Sequence, residues 1–82
     1  MIFTHQVRDP AGIHARPAAL LSIALSKIGA RVKITHQTRT ADPRSVIQML
    51  SLGALHGSEL QVEVQGTPEQ ALAVQQEFET HL

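Results

Sequence analysis

The chain has 82 residues, of which 43% are hydrophobic, 17% charged and 2% aromatic, and it contains no cysteine. Length and apolar content describe one small folded domain over residues 1–82, burying about 60–65% of its unfolded surface rather than remaining disordered. The missing cysteines exclude a disulfide framework, thiolate metal sites and a cysteine nucleophile. Net charge is zero but unevenly spread, with seven bases and two acids in residues 1–44 and five glutamates without a base in residues 45–82. Either the two halves present opposite faces to a partner or they interleave in space, and sequence position does not decide which. Nucleic acid is a poor partner, because Phe3 and Phe78 are the only aromatics and offer no stacking platform. The longest mostly apolar stretch, Pro17 to Leu25, is too short to span a bilayer. The opening residues carry no basic run leading into an apolar one, so no signal peptide is expected.

In chain order, Ile2 to Arg8 alternates as a strand with Phe3, His5 and Val7 on one side, and Asp9-Pro10-Ala11-Gly12 breaks it. A helix is predicted over 15–28, stopped by Gly29. Arg31 to Thr35 alternates again and pairs with a short strand over 38–41 through a turn at His36-Gln37. Ser45 caps a short helix over 46–52 that closes at Gly53. Glu59 to Gln65 is the cleanest strand, with Leu60, Val62 and Val64 inward. Thr67-Pro68-Glu69-Gln70 has the pattern of a capping box opening a last helix, with Ala71, Val74 and Phe78 on one face. The order βαββαβα with half-solvated strands predicts an α+β two-layer open-faced sandwich. Its four-stranded antiparallel sheet carries three helices on one face.

Chemistry concentrates at Gly12-Ile13-His14-Ala15-Arg16-Pro17-Ala18-Ala19. His14 falls at the N-cap of the first helix, where the N–H groups of Ala15 and Arg16 lack intrahelical partners and favour an anion. Arg16 adds a planar cation suited to phosphate oxygens, and Pro17 fixes the first turn. Together they describe a histidine nucleophile beside a phosphate cradle. An acid/base hydrolase reading of His14 is disfavoured, since no carboxylate partner is evident near it in sequence and polar groups for a pocket are few. The remaining histidines, His5, His36, His56 and His81, have no metal-ligand spacing, and neither metal nor cofactor is expected.

The segment from Gly12 to Ala19 resembles the active-centre signature of the HPr family, the histidine-containing phosphocarriers of the phosphoenolpyruvate:sugar phosphotransferase system. The likeness extends over the whole chain through its length, its element order and a second signature, Arg44-Ser45-Val46-Ile47-Gln48-Met49-Leu50-Ser51-Leu52-Gly53. It implies a cytoplasmic, monomeric carrier without turnover of its own. His14 would accept a phosphoryl group on Nδ1 from enzyme I and pass it to a sugar-specific IIA protein or domain, with Arg16 holding the phosphoryl oxygens. Ser45 matches a serine that a dedicated kinase phosphorylates in some bacteria, and a phosphorylase and a transcriptional regulator would follow from that. The alternative function is thus a regulatory adaptor controlled at Ser45. Ala11 departs from the family's usual polar residue, so one hydrogen bond near the active histidine is expected to be missing, and Asp42-Pro43 stiffens the approach to Ser45.

Helical geometry puts Leu21, Ala24, Leu25 and Ile28 on the core stripe of the first helix. Leu20 and Ile23 fall off it, beside Arg16 and Lys27, and the short helix carries more apolar residues than one buried face holds. The predicted docking set for acidic-rimmed partners is Ala15, Ala19, Leu20, Ile23, Lys27, Val46, Ile47 and Leu50.

Overall fold

In the computed structural model, which describes residues 1–82, the elements follow the predicted order. They are β1 (Ile2–Gln6), α1 (Ala15–Ile28), β2 (Arg31–His36), β3 (Arg39–Ala41), α2 (Val46–Leu50), β4 (Glu59–Gln65) and α3 (Pro68–His81). Every strand pairing is antiparallel and the sheet order is β1-β4-β2-β3, so β4, from the acidic second half of the sequence, sits between β1 and β2 of the basic first half.

Alternation sends Leu60, Val62, Val64 and Ile34 to the inner face, where they meet Leu21 and Leu25 of α1 and Val74 and Phe78 of α3 in one apolar cluster. Phe78 anchors it, with edge-on contacts to the rings of Phe3 and His5 at centroid distances of 5.7 and 5.8 Å. Gly29 ends α1 in the left-handed region at φ 81°, donating its N–H to the Leu25 carbonyl. Thr67 and Gln70 close a reciprocal capping box that opens α3. His36 is buried and donates its Nδ1–H to the Leu52 carbonyl at 2.9 Å, tying β2 to the chain leaving α2.

Boundaries differ from expectation in three places. β1 ends at Gln6, because Val7 pairs with turn residues, its N–H going to the Ser58 carbonyl and its carbonyl taking the Gly57 N–H. The Arg8 N–H turns to the Leu82 carbonyl instead of continuing the ladder. The turn between β2 and β3 lies at Gln37-Thr38, one residue later than predicted, with Gln37 in the left-handed region at φ 56°. α2 stops at Leu50, where the Ser51 hydroxyl and N–H both go to the Ile47 carbonyl and Leu52 bonds back to Met49 in a tightened turn.

The two charge halves interleave across the sheet. β4 brings Glu63 directly opposite Lys33 of β2, and the pair closes at 3.3 Å. Arg44 is held by Asp42 at 2.8 Å, Arg39 donates to the Ser51 carbonyl, and Arg8 donates to the Glu79 carbonyl. Of the seven bases only Lys33 and Arg44 pair with a carboxylate, so cancellation is local, and Arg16 and Lys27 on α1 are left without an ion-pair partner.

Candidate functional site

The loop between β1 and α1 is shaped by its own backbone bonds. The Asp9 carbonyl accepts the Gly12 N–H at 2.9 Å, and Asp9 Oδ1 accepts the Ala11 N–H at 2.9 Å, an Asx turn that suits the Asp-Pro-Ala-Gly sequence. Gly12 lies at φ 72° against the backbone of Ala54 and Leu55, so close that a Cβ there would sit 2.7 Å from the Ala54 oxygen. The Ile13 N–H then bonds that oxygen at 3.3 Å. Two distant stretches of chain are thus clamped together just before the histidine.

His14 is the N-cap of α1, with extended backbone at φ −131° and ψ 171°. Its side chain makes no capping bond. The ring instead reaches back to Asp9, with Nε2 at 3.0 Å from Oδ2, and remains half exposed. Sequence reasoning missed this partner and stated that none was evident, which the geometry corrects. Five residues separate the two, and only the reversal of the chain at 10–12 joins them. The signal was present as a carboxylate placed just ahead of a Pro-x-Gly turn.

The Asp9 carboxyl titrates below the usual carboxylate range, held there first by the Ala11 N–H and then by the His14 ring. The first helical bond of α1 runs from the Ala18 N–H to the His14 carbonyl at 3.1 Å. The N–H groups of Ala15 and Arg16 are therefore unused within the helix, and Pro17 has none. Arg16 is exposed and unpaired beside them. These groups form an anion-binding set next to a ring nitrogen, on an open surface. The cleft lined by Arg31, Lys33, Asp42, Arg44 and Glu63 does not include His14. A hydrolase reading gains a carboxylate here, but His14 itself lines none of the three principal clefts.

A family model for the phosphorylation site of the HPr component of the phosphotransferase system matches residues 2–78. The chain belongs to this family. It is 34% identical over 71 residues to the phosphocarrier protein HPr of Treponema pallidum, an alignment covering 87% of this chain and 81% of that one. To the phosphocarrier protein HPr of Mycoplasma genitalium it is 32% identical over 69 residues, covering 83% and 78%. Its fold matches HPr from Bacillus anthracis with a TM-score of 0.87 at 23% identity, over 100% of this chain and 96% of that one. An HPr dimer from Thermoanaerobacter tengcongensis matches with a TM-score of 0.70 at 25% identity, over 95% and 92%. The family assigns this chain to the phosphocarriers of the phosphotransferase system, which carry a phosphoryl group and have no turnover of their own.

The predicted docking residues fall into two groups. On α1, Ala15, Leu20, Ile23 and Lys27 are exposed and Ala19 is half-buried, on the side of Arg16. On α2, Ile47 is 78% and Leu50 41% exposed, whereas Val46 is half-buried against the core and offers less surface than expected. Leu55 was missed. It is 70% exposed and sits in the segment clamped against Gly12, which brings it to the edge of the histidine loop. Ser45 accepts the Gln48 N–H at 3.3 Å as the N-cap of α2. The Asp42-Pro43 departure is accommodated by a turn in which the Ser45 N–H bonds the Asp42 carbonyl at 2.9 Å with Pro43 buried. Ser22 of α1 donates to the Arg44 carbonyl at 2.8 Å, fixing α2 relative to the histidine helix.

Proposed function

We propose that residues 1–82 act as one monomeric cytoplasmic carrier domain. In it, His14 accepts a phosphoryl group on Nδ1 from phosphorylated enzyme I and donates it to a sugar-specific IIA protein or domain. The observation that carries this reading is the histidine at the start of α1, its ring free of capping duty and adjacent to two unused N–H groups and an unpaired arginine. Those donors match the developing charge on phosphoryl oxygens, and the helix N-terminus favours a dianion there. Arg16 supplies a guanidinium in a geometry suited to two of the oxygens. Partner proteins would close over the exposed Leu20, Ile23, Ile47 and Leu50, with Arg16 and Lys27 steering acidic surfaces toward the ring.

Wild type and His14→Ala are to be incubated with phosphoenolpyruvate and enzyme I, then mixed with a IIA protein. Wild type should take up phosphate that is acid-labile and base-stable and pass it on. His14→Ala should take up none while keeping its fold. Equal uptake by the variant would overturn the reading.

A further inference from the structure

We propose that Asp9 is a positioning residue for phosphoryl transfer: its carboxylate fixes the His14 ring with its proton on Nε2, so that Nδ1 faces the incoming phosphorus with its lone pair free. This rests on the reading of His14 as the phosphoryl acceptor and adds the group that prepares it.

An ionised carboxylate only accepts hydrogen bonds. At 3.0 Å from Asp9 Oδ2, His14 Nε2 must therefore be the donor. A neutral imidazole has one N–H, so Nδ1 is left bare. Asp9 is itself set in place before any phosphate arrives, because its Oδ1 takes the Ala11 N–H at 2.9 Å and its carbonyl takes the Gly12 N–H at 2.9 Å. The carboxyl is ionised at neutral pH, and the Ala11 N–H and then the His14 ring lower its pKa further. In water, a half-exposed imidazole would rotate about its side-chain torsions and populate both tautomers. Here one ring nitrogen is anchored, and orientation and tautomer are set together. No other carboxylate is bonded to the ring.

The transfer balances without a proton relay. The Nδ1 lone pair forms the N–P bond as the bond from phosphorus to the donor atom breaks, and that electron pair leaves with the donor. Nε2 keeps its proton throughout, so the phosphorylated ring carries a positive charge next to the Asp9 carboxylate. On passage to the acceptor the N–P bond breaks, its electrons return to Nδ1, and the ring leaves neutral with the proton still on Nε2. Asp9 thus stabilises the charge that makes the ring a good leaving group. The hydrogen bond expected to be missing because of Ala11 is supplied from another position, and the Ala11 N–H serves to hold its source.

The test combines ring 15N shifts of His14 with single-turnover phosphorylation by phosphorylated enzyme I. The proteins are wild type, Asp9→Asn (which keeps an oxygen for the Ala11 N–H but loses the charge) and Asp9→Ala. Wild type should show Nε2–H alone. Both variants should show a population of Nδ1–H and transfer about tenfold more slowly, the loss expected for one charge-assisted hydrogen bond; melting should be nearly unchanged in Asp9→Asn and somewhat lower in Asp9→Ala, which also loses the bond to the Ala11 N–H. Asp9→Glu should recover part of the rate. An Nδ1–H ring in wild type would overturn the proposal directly. So would variants that keep the wild-type tautomer, whatever their rates. Wild type that is not phosphorylated at His14 would instead sink the carrier reading, and the tautomer measurement on the unmodified protein would still decide the role of Asp9 in fixing the ring.

Discussion

Replacing Gly12 by alanine tests the clamp behind His14. At φ 72° an L-residue is strained by about 1–2 kcal/mol, offset by about 0.4–1 kcal/mol because alanine has less freedom to lose on folding. Gly29 provides the control, since it has a similar φ of 81° with nothing within 4 Å of the position a Cβ would take. Gly29→Ala should therefore cost about 1 kcal/mol, or a Tm drop of about 4–8 °C for a domain of this size. At Gly12 the new Cβ would in addition meet the Ala54 oxygen at 2.7 Å and Leu55 Cα at 3.0 Å, both backbone atoms that cannot rotate away. Overpacking of that kind adds about 1–3 kcal/mol, for a total of about 2–4. Differential scanning calorimetry of the two variants reads the difference, and phosphoryl uptake should fall in Gly12→Ala well below that in Gly29→Ala as the histidine loop shifts. Equal melting temperatures would show that residues 54–55 do not brace the loop.

Three further outcomes follow from the same geometry. His5 is buried against Phe78 with Nε2 unpartnered, and burial pushes its pKa below the usual 6.5. The unfolded chain then binds a proton that the folded one refuses, so urea midpoints should fall as pH drops below about 6.5 toward the folded value, and His5→Leu should flatten that slope. Ser45→Asp keeps a good N-cap on α2, so stability should stay within about 0.5 kcal/mol. Stopped-flow phosphorylation by enzyme I should slow, and added salt should shrink the difference. Arg16→Gln removes an unpaired exposed guanidinium, so melting should be unchanged while phosphoryl transfer drops by about tenfold or more; a wild-type rate would remove Arg16 from the cradle.

Local signals made most of the fold legible. Gly29, the Thr67–Gln70 box and the alternation of residues 59–65 encode their elements within a few residues of chain; α1 and β4 have the predicted bounds, and α3 opens where predicted. Element ends set by distant bonds were not legible, as at Val7, whose pairing goes to Gly57 and Ser58 rather than onward along a ladder. The same division runs through the site. His14, Ala15 and Arg16 form a contiguous motif, so their grouping needs no tertiary information. Asp9 joins them only through a turn whose direction periodicity does not specify, and Leu55 only through the close approach of Gly12 to residues 54–55. Val46 was read as surface because helical projection counts apolar positions without knowing how deep a five-residue helix sits on its neighbours.

The central claim is the identity of the phosphorylated atom. After phosphorylation by phosphoenolpyruvate and enzyme I, multinuclear NMR correlating phosphorus with the histidine ring locates the phosphoryl group directly. The account predicts a single N–P bond, at Nδ1 of His14, with Nε2 still protonated. A phosphoryl group on His56, on another histidine, or on Nε2 of His14 would contradict it.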